Sequence, residues 1–167
     1  MSDSRLMIVM DEKSWTLAAL HFACIMARRE QLEVLLLKMV PVNHPLLLGT
    51  TISLQDFSSN EMIALADMAA TAEDYGVCLQ VQSFQYVSFW SGIVDAAGQL
   101  GATAVIAYIP PSPVPYWQEL HRWLLRRLFN RQHKLLITLD DLTPTLTWTS
   151  SRNLQDDLAF KLSQHMH

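Results

Sequence analysis

Two acidic residues, Asp11 and Glu12, directly follow the apolar segment 6–10 near the start of the chain. A carboxylate in that place has two chemical uses, which the sequence leaves open. It can contact a ligand at the carboxyl edge of a sheet, or it can cap the turn into the next helix. We therefore take Asp11 as a candidate binding residue and keep the turn cap as the competing interpretation.

A second group of residues that could bind a partner or ligand lies in the amphipathic segment 116–130. One broad apolar stripe of this predicted helix contains Tyr116, Trp117, Leu120, Trp123, Leu124 and Leu128. Arg122 and Arg126 fall on the opposite side. Leu125 and Phe129 lie outside the stripe. The simplest interpretation is a helix that covers the sheet with the stripe; the surplus apolar residues also favour a protein partner. Such a helix is also compatible with a membrane surface or with an anionic ligand held by the arginines.

Other catalytic or metal-binding patterns are not recognisable. Serine, histidine and aspartate occur without a Gly-x-Ser-x-Gly elbow, and no two acids have a spacing that indicates shared acid–base work. Cys24 and Cys78 fall in apolar or alternating segments, which predicts buried free thiols, and no Cys/His spacing resembles a zinc site. We expect neither an enzyme nor a bound metal or cofactor.

Composition limits the classes of partner. The 167 residues are half hydrophobic and only 17% charged, as in a domain with a sizeable core. The formal net charge of −4 argues against a nucleic-acid binder. No apolar stretch approaches the ~18–20 residues that cross a bilayer, and the start lacks the pattern of a secretory signal. We expect a soluble cytoplasmic protein without an integral membrane segment.

The elements that must position these residues alternate along the chain. Nearly unbroken apolar runs predict buried strands, whereas the alternating segment 77–83 predicts an edge strand. The predicted buried strands are 6–10, 34–40, 104–109 and 135–139. Helices are predicted between them, at 14–30, 60–75, 88–100 and 116–130. This order predicts an α/β domain with a parallel sheet and right-handed crossovers.

Each of the first three helices has a predicted sheet-facing side. Ala18, Phe22 and Ile25 share helical spacing after Ser14, a candidate N-cap. Residues with the same type of spacing in the next two helices are Ile63, Ala66 and Ala70, and then Trp90, Ile93, Ala97 and Leu100. Gly76 and Gly101 are predicted to end these two helices.

The chain resembles the universal stress protein family. The likeness rests on "LMIVMDEKSWTLAALHFACIMARREQLEVLLLKMVPV" (6–42), on "IVDAAGQLGATAVIAYI" (93–109) and on the closing "KLLITL" (134–139). Asp11, Val40 and the "LGA" step at 100–102 match the family pattern. The resemblance implies a doubly wound five-stranded sheet in the order 3-2-1-4-5, the adenine nucleotide alpha hydrolase-like fold. It also implies Asp11 and Val40 as cofactor-binding positions, Asp11 at a base or ribose.

One part of the family pattern is missing. ATP-binding members follow the fourth strand with Gly-x2-Gly-x9-Gly-Ser/Thr, and these glycines let backbone N–H groups approach phosphates. This chain has no glycine after Gly101, and residues 109–115 read "IPPSPVP". Proline has no N–H to donate, and Glu12 adds a second negative charge near the expected nucleotide. The sequence therefore disfavours ATP binding.

The closing strand is expected at a sheet edge, where a bare apolar strand would aggregate. In the resembled family this edge commonly forms a homodimer. Residues 1–141 are predicted as the main domain and 142–167 as an extension with a short strand and a helix, 152–165. We expect this extension to take part in a dimer. The predicted interface residues are Trp117, Trp123, Phe129, Leu135, Ile137, Leu146 and Trp148.

Two functions remain for such a domain. The first is a dimeric interaction or regulatory module of a stress response that does not bind ATP, with helix 116–130 as a surface for a protein partner. The second is a small-molecule binder, of nucleotide type, that uses Asp11 and the loop 41–59.

Overall fold

A parallel sheet of five strands forms the centre of the computed structural model, which describes residues 4–48, 57–109, 115–131 and 134–138. The strands run in the order β3-β2-β1-β4-β5, as the sequence predicted. Their bounds are β1 Arg5–Val9, β2 Glu33–Pro41, β3 Leu79–Tyr86, β4 Ala102–Ala107 and β5 Leu135–Thr138. Every pair of neighbouring strands is parallel, so all five carboxyl ends lie at one edge.

Helices cover both faces of this sheet. Their bounds are α1 Lys13–Glu30, α2 Ser59–Asp74, α3 Phe89–Gln99 and α4 Pro115–Arg131. A short 3-10 helix, Pro45–Leu47, follows β2. Alternate residues of β1 point to opposite faces: Leu6 and Ile8 belong to the core under α1 and α2, and Met7 and Val9 to the core under α3 and α4. Burial on both faces explains the unbroken apolar runs.

The edge prediction for segment 77–83 is confirmed. β3 pairs with β2 and stands at the end of the sheet, and each of its residues is partly buried. Its start is two residues later than predicted, because Val77 closes the turn after α2 with a hydrogen bond from its N–H to the carbonyl of Ala72.

The buried sides of α1 and α2 differ from the sequence prediction. In α1, Ala18 and Ile25 are exposed, and Phe22 is only partly buried. In α2, Ile63 and its predicted companions are likewise exposed. The side chains that do face the sheet are Ala19, Leu20, Ala23, Cys24 and Ala27 in α1, and Leu65, Met68 and Ala72 in α2. Both helices have apolar residues on two sides, so spacing alone selected the wrong side.

The helix ends are largely as predicted. Gly76 and Gly101 both have φ of +68°, the left-handed region that favours glycine after a helix. The start of α1 is a correction: it begins at Lys13 after Glu12, so Ser14 lies inside the helix. Its hydroxyl donates to Oε1 of Glu12 over 2.8 Å instead of capping the backbone.

A polar cluster fixes the start of α2 to the sheet. Ser58 and Glu61 form a capping box, in which each side chain accepts a hydrogen bond from the backbone N–H of the other. Glu61 also pairs with Lys38 of β2, over 2.8 Å between Oε1 and Nζ. The hydrogen bonds from Lys38 and Ser58 lower the pKa of Glu61 to about 2. The Lys38 ammonium also lies 4.6 Å from the centroid of the Phe57 ring.

Lys134 connects β5 to the other elements of its sheet face. Its ammonium donates to the carbonyl of Ala97 in α3 and, over 2.8 Å, to that of Ala102 in β4. Partial burial lowers the pKa of this amine because desolvation disfavours the charged form. The strand β5 is therefore held beside β4 by a side chain as well as by the backbone ladder.

The two cysteines differ in environment. Cys24 is buried in α1 as predicted, and burial raises the pKa of its thiol. The prediction of a buried thiol is wrong for Cys78, which is exposed because it precedes the edge strand β3. Among the helices that the structure describes, none has the length and apolar character needed to cross a bilayer.

Candidate functional site

The carboxyl edge of β1 is where Asp11 was expected to act. Its side chain is exposed, and its Oδ1 accepts a hydrogen bond of 2.9 Å from the backbone N–H of Glu12. The N–H of Asp11 donates to the hydroxyl of Thr16 over 3.0 Å, and Thr16 is fully buried in α1. Asp11 thus shapes the turn into α1, the role that the sequence left open beside ligand contact. One carboxylate oxygen and the solvent side remain accessible.

Val40, the second predicted binding position, lies in the neighbouring strand β2. β1 ends at Val9, which is level with Leu37 of β2. Asp11 is two residues and Val40 three residues beyond that level. Val40 also pairs with Gln85 of β3. Asp11 and Val40 therefore both lie at the carboxyl edge of the sheet.

Two aromatic rings stand at the crevice between β1 and β4, where a doubly wound sheet usually holds its ligand. Trp15 belongs to the first turn of α1, and Tyr108 directly follows β4. Their ring centroids are 5.6 Å apart, with 58° between the ring planes. This contact joins the two sides of the crevice. The region that would carry a phosphate cradle, residues 110–114, lies outside the described residues.

A groove of about 760 Å³ lies elsewhere, between the edge strand β3 and the start of α3. Its polar side chains include Ser88, Ser91 and Asp95, and Pro45 and Leu48 reach it from the loop after β2. Asp11 does not line it. The described part of the loop 41–59 therefore borders this groove, whereas the sequence interpretation placed the loop with Asp11.

The packing of β3 against α3 gives the groove its floor. A β-carbon placed on Gly92 would lie 2.6 Å from Cβ of Tyr86, which is closer than atoms can approach. Glycine is therefore required there for the helix to lie against the strand. Sequence reasoning missed this groove, although the small residues Ser88, Ser91 and Gly92 at the start of α3 were a usable signal.

The two sides of α4 are reversed relative to the sequence prediction. Leu125 and Phe129, which fell outside the predicted sheet-facing stripe, are buried, with exposures of 1% and 0%. Members of the stripe face solvent instead: Tyr116 is 85% exposed and Trp123 is 52% exposed. Two leucines complete this exposed surface. We call the four residues Tyr116, Leu120, Trp123 and Leu124 the α4 surface.

Arginines border the α4 surface. The Arg127 guanidinium lies 5.3 Å from the centroid of the Trp123 ring, a cation–π distance. A shallow cavity of about 510 Å³ is lined by Trp123, Arg126, Arg127, Asn130 and Arg131. Arg122 pairs with Glu119 one turn earlier, over 3.6 Å. An aromatic and leucine surface with a basic rim is typical of a protein-contact site.

The predicted interface residues divide into four groups. Trp123 lies on the exposed surface as required. Phe129 and Ile137 are corrections, since both side chains are buried in the domain's own core and present nothing to a partner. The backbones of Trp117 and Leu135 belong to α4 and β5, but their side chains are outside the described part of the chain. Leu146 and Trp148, with the whole extension 142–167, lie outside the described residues.

The similarity of this chain to known proteins is found in its fold. No family model and no curated protein matches the sequence. Among solved structures, the chain is similar to a universal stress protein family member from Burkholderia pseudomallei, at 16% identity and a TM-score of 0.56. That match covers 86% of this chain and 98% of the other.

A second similar structure is the universal stress protein from Archaeoglobus fulgidus. The match has 14% identity and a TM-score of 0.52, and it covers 81% of this chain and 92% of the other. At this level of identity the likeness concerns the fold. Together with the strand order 3-2-1-4-5 and helices on both faces, it confirms the architecture that the sequence resemblance implied. The chain has the fold of the universal stress proteins.

Proposed function

We propose that this domain works by protein association, as a dimeric interaction or regulatory module of a stress response, and that it does so in the cytoplasm without bound ATP. The observation that carries the proposal is the α4 surface. Four large apolar side chains on one side of one helix, with arginines beside them, form the kind of patch that marks an interaction site on a soluble domain.

The carboxyl edge supports the part of the proposal that concerns ATP. The segment between Ile109 and Tyr116 contains four prolines, which have no N–H for a phosphate oxygen. A ligand that entered between β1 and β4 would also meet the contact between Trp15 and Tyr108. Both features oppose a triphosphate at the place where such folds usually hold ligands.

The strand β5 supports a dimer. It stands at the end of the sheet and pairs with β4 on one side. Its outer edge has no partner strand among the described residues, and an apolar edge strand without charge or proline needs a cover for its backbone N–H and C=O groups. In our proposal a second copy, together with the short predicted strand around Leu146 and Trp148, provides that cover.

The oligomeric state tests this proposal. We expect light scattering of the full chain to give the mass of a dimer, and a Leu146→Asp/Trp148→Asp variant to shift it toward the monomer. Ile63→Asp, at an exposed position of α2, is the control and should leave the mass unchanged. A monomeric full chain would refute the dimer, and an unchanged dimer in the variant or in a 1–141 truncation would remove the extension from the interface.

A second candidate function is small-molecule binding in the groove beside β3. Its volume falls in the range of ligand sites, and serine, glutamine and aspartate side chains reach it. Calorimetric titration with ATP, AMP and cyclic dinucleotides tests it against the Asp11 crevice. Loss of binding in Ser91→Trp, with binding kept in Asp11→Ala, would assign the ligand to the groove. The reverse result would assign it to the crevice, and stoichiometric ATP binding there would overturn our leading proposal.

A further inference from the structure

We propose that residues 152–165 of the same chain dock along the α4 surface and cover it until a partner displaces them. The inference rests on the proposed function, because it concerns the same association surface. It adds the identity of the resting occupant and hence a means of regulation.

The α4 surface has the form of one side of a helix pair. Tyr116, Leu120 and Leu124 follow one another at intervals of four residues, and Trp123 lies beside them. Residues at this spacing share one side of a helix. The opposite side is fixed by Leu125 and Phe129 in the core, so α4 cannot turn its exposed side inward.

The segment 152–165 has the matching pattern. Leu154, Leu158 and Leu162 also follow at intervals of four residues, which predicts a helix with one apolar stripe. A lone amphipathic helix of this length is marginally stable in water and needs a partner for its stripe. The exposed leucines and aromatics of α4 are such a partner, since apolar stripes of two helices pack together.

One carboxylate of the segment can meet the basic end of the α4 surface. Residues 152–165 contain two aspartates, one arginine and one lysine, so the segment is neutral overall. In a helix, Asp157 lies at the border of the leucine stripe, whereas Asp156 lies on the opposite side. Arg127 contacts Trp123 in the α4 surface. A pair between Asp157 and Arg127 would help to fix the register of the two helices.

The path of the chain brings residues 152–165 within reach of α4. α4 connects two parallel strands, so it runs against them and begins at the carboxyl edge of the sheet. β5 ends at that same edge, at Thr138. The segment 139–151 reaches up to ~45 Å when extended, and α4 is only about 26 Å long. A short covalent connection raises the effective concentration of the segment at α4, which favours docking within one chain over docking between copies.

Cross-linking tests the proposal in the full chain. In a Cys78→Ser background, Leu124→Cys and Leu158→Cys are paired through a short bismaleimide, while Cys24 stays buried and unreactive. The matched control pairs Leu158→Cys with Ile25→Cys, an exposed position on α1. We expect at least a fivefold higher yield of the within-chain link for Leu124. Equal yields for the two positions, or no link, would refute the docking.

A mixture of isotopically light and heavy chains distinguishes the sources of the segment. Links between light and heavy chains would show that a second copy supplies it and would overturn the proposal. Reversing the charge with Asp157→Arg should lower the yield about twofold, as for one exposed ion pair. Adding Arg127→Asp should restore it, and a yield that ignores these changes would contradict the charge argument.

Hydrogen exchange of the unmodified chain provides a second measurement. We expect residues 152–165 to be protected, and Trp123→Asp to remove that protection. Co-sedimentation of the full chain with phosphatidylserine vesicles would instead assign the α4 surface to a membrane and refute the docking. Light scattering reports the dimer separately, so a chain that dimerises without the within-chain link refutes only this inference.

Discussion

The helices α1 and α4 occupy equivalent places on the two sides of the sheet, yet they use their apolar residues differently. Each leaves a strand at the central crevice and returns across the sheet. α1 buries seven residues, most of them small, and exposes one large apolar side chain, Ile25. Among the described side chains of α4, only Leu125 and Phe129 are buried, and four large apolar ones are exposed. α1 therefore leaves little apolar surface for a further contact, whereas α4 exposes large apolar side chains that do not pack on the sheet.

The largest expected effect tests the difference between the two sides of α4. Phe129→Ala removes a fully buried ring and should lower the free energy of unfolding by about 3–5 kcal/mol. In a 1–141 truncation, which lacks the segment proposed to cover the α4 surface, Trp123→Ala removes a larger ring from the exposed side and should change the free energy of unfolding by less than ~1 kcal/mol. Denaturant unfolding of both variants measures this. Similar losses would mean that the α4 surface is part of the core.

A smaller effect is expected where α3, the neighbour of α4, meets β3. Gly92→Ala would place a β-carbon 2.6 Å from Cβ of Tyr86, so helix and strand must move apart. We expect a loss of about 1–3 kcal/mol, typical of overpacking. Ser91→Ala, one residue earlier on the exposed side, is the control and should be nearly neutral. A stable Gly92→Ala variant would show that α3 is loosely packed.

The α1 and α2 side of the sheet has a pH-dependent contact. Because the pKa of Glu61 is lowered from 4.5 to about 2, its contribution to stability is complete above about pH 4.5 and is lost as the pH falls toward 2. The stability difference between the natural chain and Glu61→Gln should therefore shrink across this interval and stay constant above it. Unfolding curves at several pH values measure the difference. A difference that ignores pH would exclude Glu61 as the titrating group.

The smallest effect concerns the exposed contact between α1 and α2. Lys13 pairs with Asp67 over 2.8 Å, and both side chains are more than half exposed. A double-mutant cycle with Lys13→Ala and Asp67→Ala should give a coupling below ~1 kcal/mol that falls with added salt. A larger coupling, insensitive to salt, would mean that the packing of α1 against α2 depends on this ion pair.

These residues also show what the sequence could predict. Strand positions followed from unbroken apolar runs, and helix ends followed from Gly76 and Gly101, because both signals are local. The sides of the helices were not predictable in this way. α4 is rich in large apolar side chains, and the two buried ones among those described, Leu125 and Phe129, belong to the core that α3 and the sheet form on this face. That core exists only in the assembled domain.

The candidate sites also differ in how well the sequence predicted them. Asp11 was placed correctly at the end of β1 because strand and acid are adjacent in sequence. The groove beside β3 was not predictable as a whole, since it joins Pro45, Tyr86 and Asp95 from three separate segments and only the small residues at the start of α3 gave a local signal. The aromatic contact across the crevice likewise joins Trp15 to Tyr108, residues that only the crossover between β1 and β4 brings together.

That contact has an energetic consequence. The chain from β1 to β3 and the chain from β4 onward form the two sides of the crevice, and the rings of Trp15 and Tyr108 connect them. A ligand that enters this crevice must separate the two rings, at a cost of about 0.5–1.5 kcal/mol. It would bind up to roughly tenfold more weakly for this reason alone. The aromatic contact therefore weakens the binding of any ligand that needs this crevice open.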